Sequence, residues 1–220
     1  MHDNESLLEL DPVRLWPVTG GPTAERALRT RGRNTMNRLL RAGIVCFARK
    51  GFHGTRVDDI VKEAEASHGT FYLYFANKDE LLEALARAVT AELTVLAGSL
   101  PKLEPTSTGR ESLRAWLAEF ADMYRLYRPI LRVWTEAEND NNSFGQIGNT
   151  VFQALSSAFA EGARVAASPG VDPEVAGTAL LALVERFTYF TATNQIRVDV
   201  PTSLDTLTSV ILGSLFPPGD

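Results

Sequence analysis

Apolar positions recur along this chain at spacings of three and four, the period of helices packed on one side. From Asn34 to Lys50 the stripe is Met36, Leu39, Leu40, Gly43, Cys46 and Phe47, and Gly51 is placed to end that helix. Thr55 is expected to cap the next helix, with Asp58 at its third position completing a capping box and Val57, Ile60, Val61 and Ala64 on its apolar side. Ser67 starts a third short helix running through Phe75, and Asn77 with Glu80 starts a longer one that carries Leu81, Leu82, Leu85, Ala88 and Val89. Beyond Pro101 and Pro105 the pattern predicts helices near 109–127, 129–138, 143–166, 172–194 and 202–215. No run alternates with period two and no Asn-Gly or Asp-Gly hairpin signal occurs, so the expected fold class is all-α. Residues 1–30 hold Pro12, Pro17, Gly20, Gly21 and Pro22 without a sustained helical period and are expected to form a flexible arm.

Composition narrows the functional classes. At 220 residues with 45% apolar and 22% charged positions, the chain has material for a conventional core. The single cysteine, Cys46, excludes an internal disulfide, and three histidines beside it leave little for a structural metal site, so neither a metal nor any cofactor is implied. Cys46 itself sits on the buried stripe. No stretch is apolar enough to span a membrane, and Asp3, Glu5, Glu9 and Asp11 replace a basic leader, so a cytoplasmic protein without a membrane partner is expected. An enzyme is disfavoured, because all histidines lie in the first 68 residues and neither a Gly-x-Ser-x-Gly elbow nor a phosphate loop is present. Net charge is −5, but residues 26–62 hold ten Lys or Arg against Asp58 and Asp59, a balance of +8 that leaves −13 elsewhere. That asymmetry fits a small part that meets a polyanion and a larger part with another task.

The segment TRVDDIVKEAEASHGTFYLYFANK, residues 55–78, is a short helix, a break at Glu65 and Ala66, and a second short helix, which is helix-turn-helix architecture. A second helix that inserts into a major groove needs small and polar groups near its start. Ser67, His68, Gly69 and Thr70 supply them while Phe71 and Phe75 turn to the core, leaving Tyr72 and Tyr74 outward for phosphate and sugar. With its flanks, LLRAGIVCFARKGFHGTRVDDIVKEAEASHGTFYLYFANKDEL, residues 39–81, resembles the TetR/AcrR family of bacterial transcriptional regulators. The resemblance implies base contacts by Ser67, His68, Gly69 and Thr70, contacts to backbone or bases by Tyr72 and Tyr74, and phosphate contacts by Thr55, Arg56 and Lys78. One departure stands out: members usually place glycine in the turn, where this chain has Glu65. In a left-handed conformation Glu65 would cost on the order of 1 kcal/mol or more.

The same resemblance divides the chain into an arm (1–30), a three-helix DNA-binding domain (31–78) and a helical effector-binding and dimerisation domain (79–220). Trp116, Phe120, Tyr124 and Tyr127 recur at three and four, with Trp134 beyond Pro129, a stripe that plain core packing also explains, but Phe144, Phe152, Phe159, Phe187, Tyr189 and Phe190 add more large rings than five helices need for packing alone. In the family these helices enclose an apolar effector cavity, so Trp116, Phe120, Tyr124, Trp134, Phe152 and Phe187 are its candidate lining. The surplus apolar positions Val175, Leu180, Leu183, Val184, Leu204, Leu207, Val210, Ile211 and Leu215 are assigned to a two-fold homodimer interface. The expected function is a ligand-responsive repressor released from a palindromic double-stranded DNA operator by a hydrophobic small molecule. The alternatives are an activator of the same type and a helical small-molecule-binding protein without operator recognition.

Overall fold

The computed structural model describes residues 23–138, 142–166 and 170–216. Among them the chain forms α1 (Thr23–Gly54), α2 (Val57–Glu63), α3 (His68–Tyr72), α4 (Lys78–Gly98), α5 (Ser107–Glu138), α6 (Asn142–Ala166), α7 (Pro173–Ala192) and α8 (Val200–Leu215), and no strand is present among the described residues. Two compact units result. The first runs to Glu92 and takes in Leu126–Gly148, and the second joins Leu93–Arg125 to the chain from Asn149 onward. Helix α4, which starts at the boundary expected near residue 78, buries Leu81, Leu82, Leu85 and Val89 in the first unit's core.

In that first unit, Leu39, Leu40, Ile44 and Phe47 of α1 are buried together with Ile60 of α2 and Phe71 of α3. Helix α1 begins at Thr23, so part of the expected arm is helical, and the remainder of the arm, residues 1–22, lies outside the described residues. Gly51 does interrupt the helix: its φ of 70° and ψ of 177° are open to glycine at little steric cost. The turn that follows differs from expectation by one residue. Arg56, extended at φ −113° and ψ 158°, is the cap of α2, and its N–H donates to Asp59 Oδ2 at 3.0 Å, so Asp59 and not Asp58 closes the box. Asn77 caps α4 as expected, its Oδ1 accepting from the Glu80 N–H at 2.9 Å. Helix α5 runs through Pro129, where two helices were expected. Tyr127, Ile130 and Val133 keep one buried stripe across that point, and the Tyr127 hydroxyl donates to Glu92 Oε2 at 2.5 Å. This burial offsets the roughly 3 kcal/mol that an interior proline costs a helix.

The second unit is organised on Trp116. Its indole N–H donates to the Leu96 carbonyl at 2.9 Å, its ring meets Phe159 edge-on at 5.6 Å, and it stacks on Phe120 at 5.7 Å. Helices α6 and α7 approach closely at Gly177, where a Cβ would lie 2.5 Å from the Ser156 carbonyl oxygen. Asp172 caps α7 through the N–H groups of Glu174 and Val175, and Asp199 caps α8 through Thr202. In each case a proline occupies the first turn, where no helical N–H bond is lost.

Candidate nucleic-acid interface

The helix-turn-helix is assembled by α2, a left-handed turn and α3. Glu65 has a φ of 50°, in the left-handed region that a glycine would occupy without strain. Ser67 then caps α3: the Thr70 N–H donates to Ser67 Oγ at 3.0 Å, and the two hydroxyls lie 2.9 Å apart. Helix α3 ends at Tyr72, short of the expected Phe75, although the N–H groups of Tyr74 and Phe75 still reach the Phe71 carbonyl at 2.9 and 3.0 Å. Phe71 and Phe75 are buried as expected and fix which side of α3 is presented outward.

That outward side holds His68, Gly69, Tyr72 and Leu73. The His68 and Tyr72 rings stack with centroids 6.5 Å apart, one turn from each other. His68 Nε2 also lies 3.0 Å from Asp58 Oδ1 of α2. Leu73 is 83% exposed, and the sequence reading missed it because an apolar residue between two tyrosines reads as core. Gly69 is exposed and nothing would obstruct a Cβ there except Ser67 Oγ at 3.7 Å, so the protein itself does not require glycine at this position. Ser67 and Thr70 are tied to each other, which makes them supports of the helix start.

Three of the residues expected to touch DNA also hold the fold together. Thr55 is 1% exposed, and its hydroxyl donates to the carbonyls of Gly51 at 2.7 Å and Cys46 at 3.2 Å. It ties the end of α1 where a phosphate contact was expected, because the chain is still leaving the Gly51 break when it reaches this residue. Lys78 Nζ donates to the carbonyls of Phe52 at 2.7 Å and Thr55 at 3.0 Å and lies 4.4 Å from the Phe52 ring centre. Its ammonium therefore closes the corner between α1 and α2. Tyr74 is half-buried, its hydroxyl reaching α1 at Gly32, where a Cβ would lie 3.4 Å away. Arg56 remains exposed at the start of α2. Part of the basic block is also spent internally, Arg49 pairing with Glu63 at 3.2 Å and Lys50 with Asp59 at 2.6 Å. The Lys50 ammonium and the Arg56 N–H hold the Asp59 carboxyl below its ordinary range.

Residues 39–85, which span this whole arrangement, match the family described as "Bacterial regulatory proteins, tetR family". The helix-turn-helix segment of this chain is thus similar to the DNA-binding domain of that family. The chain is 30% identical over 99 residues to the HTH-type transcriptional repressor SCO4008 of Streptomyces coelicolor, a match covering 45% of this chain and 47% of the relative. It thus spans about half the length of the curated relatives it matches. The fold is shared with a TetR-like transcriptional regulator from Rhodococcus sp. RHA1, at 26% identity and TM-score 0.63 over 82% of this chain and 95% of the other. It is shared also with the SmeT–triclosan complex, at 21% identity and TM-score 0.65 over 85% and 96% of the two chains.

In the second unit, the candidate effector residues separate. Trp116 and Phe120 are buried in the ring stack, which continues to Tyr124 at 6.4 Å. Tyr124 is half-buried and donates to Glu185 Oε1 at 3.3 Å; burial, with Glu185 beside it, pushes its hydroxyl up to about 12. Phe187 is half-buried. Phe152 is 42% exposed, so it lines no closed interior of the chain. The Trp134 side chain lies outside the described residues. Most of the apolar surplus expected at a dimer interface is consumed within the chain, since Leu180, Val184, Leu204, Leu207, Ile211 and Leu215 are buried, and Val175 and Val210 are left exposed. Among the described residues no group of three metal-ligating side chains occurs, and no helix is long and apolar enough to cross a membrane.

Proposed function

We propose that this chain is a dimeric, ligand-responsive transcriptional regulator of the cytoplasm. It represses by occupying a pseudo-palindromic DNA operator and leaves it when a hydrophobic small molecule binds the second unit. The observation that carries the reading is the α2–turn–α3 segment, whose buried Phe71 and Phe75 hold His68, Gly69, Tyr72 and Leu73 outward on a helix sized for a major groove. Ligand response is supported by the aromatic stack from Trp116 to Tyr124 with the half-buried Phe187, and by the shared fold of a regulator solved with triclosan. Repression is supported by the name of the Streptomyces relative. Dimerisation is supported by the exposed row Val175, Ala179 and Ala182 on α7 beside Val210 and Gly213 on α8, small enough to let a second copy approach.

The test is fluorescence anisotropy of the purified chain with duplexes drawn from the region upstream of its own gene. Sequence-selective binding whose log affinity falls linearly with log salt is expected. Equal affinity for operator and random duplex overturns operator recognition and leaves a helical ligand-binding protein. Adding triclosan and medium-chain fatty acids as apolar probes is expected to dissociate the complex. The left-handed Glu65 removes the sequence-based ground for a degenerate turn.

A further inference from the structure

A carboxylate on a surface that meets DNA opposes every phosphate around it, and α2 presents one: Asp58, its second residue, is 74% exposed. The adjacent Asp59 is accounted for by the Lys50 ammonium and the Arg56 N–H, at 2.6 and 3.0 Å. Asp58 instead faces α3. Its Oδ1 lies 3.0 Å from His68 Nε2, and the His68 ring is backed by Tyr72. This contact engages one carboxylate oxygen and limits the side chain's freedom beside the residues that reach base edges. An ionised carboxylate only accepts hydrogen bonds. In the major groove the groups able to donate to it are the exocyclic amines of cytosine and adenine, whereas guanine presents N7 and O6 as acceptors, and thymine presents O4 and a methyl group.

We propose that Asp58, held by His68, determines specificity: its second oxygen accepts from the exocyclic amine of cytosine or adenine at one position of each half-site and rejects guanine and thymine there. The inference rests on the DNA-binding reading above. The carboxylate would lower affinity for DNA in general and return part of it only where an amine lies opposite, which is discrimination by repulsion as well as by attraction.

The experiment is selection of binding sites from random duplexes with the full chain, alongside Asp58→Asn and His68→Ala. The wild-type half-site is expected to contain one position restricted to cytosine or adenine. Asp58→Asn should weaken that preference on the order of tenfold, keep the other positions, and raise affinity for random duplex. His68→Ala, which leaves the start of α2 intact, should relax the same position. If Asp58→Asn keeps every preference, or lowers the melting temperature and weakens all positions alike, Asp58 merely begins a helix and the proposal fails. If the wild type selects no sequence at all, operator recognition itself fails, an outcome visible before either variant is made.

Discussion

Glu65 occupies the left-handed region with a β-carbon that crowds its own backbone. Replacing it with glycine removes that strain but adds unfolded-state freedom, so Glu65→Gly is expected to stabilise the chain by about 0.5–1 kcal/mol, read as a raised urea midpoint at unchanged slope. Thr55 offers the opposite case. Thr55→Val keeps the shape and removes the hydroxyl that serves two buried carbonyls, and a loss of about 1–3 kcal/mol is expected in the same assay. Cys46 belongs here too: burial, with Glu63 and Asp59 adding to it, pushes its thiol up to about 11. Alkylation by iodoacetamide should therefore stay slow in the native chain at pH 9 and become fast in urea. The native thiol ionises later than the unfolded one, whose ordinary value is 9.0, so its contribution to stability is intact below pH 9 and is lost as pH rises toward 11. The inward Phe71 and the outward His68 were legible from period alone. Thr55 was not, because a threonine before a helix reads as a cap unless the preceding glycine is known to place its carbonyl within reach.

At the scale of elements, the helices were legible and their joints less so. Periodicity located α6, α7 and α8 to within about two residues, and the structure adds the caps Asp172 and Asp199 at the starts of α7 and α8. It divided α5 at Pro129, because a proline's missing N–H is visible in sequence and the buried stripe that compensates for it is a tertiary fact. Lys78 shows the same limit: its charge suggests a phosphate, yet it closes the α1–α2 corner through Phe52 and Thr55. Lys78→Met is expected to lower the melting temperature by several degrees and to weaken DNA binding through a loosened corner, leaving the salt dependence of binding unchanged. A salt slope reduced by about one would restore the phosphate reading. Gly177 marks a close contact between α6 and α7. Gly177→Ala forces α6 and α7 apart and should destabilise by about 1–3 kcal/mol in thermal unfolding, with secondary structure retained.

For the whole molecule, the charge asymmetry was legible from sequence, but its use was not: pairing of Arg49 and Lys50 with α2 means that fewer cations are available to DNA than the count suggests. Raising ionic strength from 50 to 200 mM should accordingly cost less affinity than all ten Lys and Arg of residues 26–62 would give, a point that a salt titration checks directly. The compact units have their own boundaries, which fall after Glu92, before Leu126 and before Asn149, each inside a helix. Anyone exchanging the first unit for that of another helical protein would therefore find no linker to cut at these boundaries. The splice must be made within a helix, where one residue too many or too few turns everything downstream by about 100° and advances it by about 1.5 Å. Functional chimeras should appear at three crossovers chosen together and in phase, and libraries with junctions at random positions should be almost entirely silent.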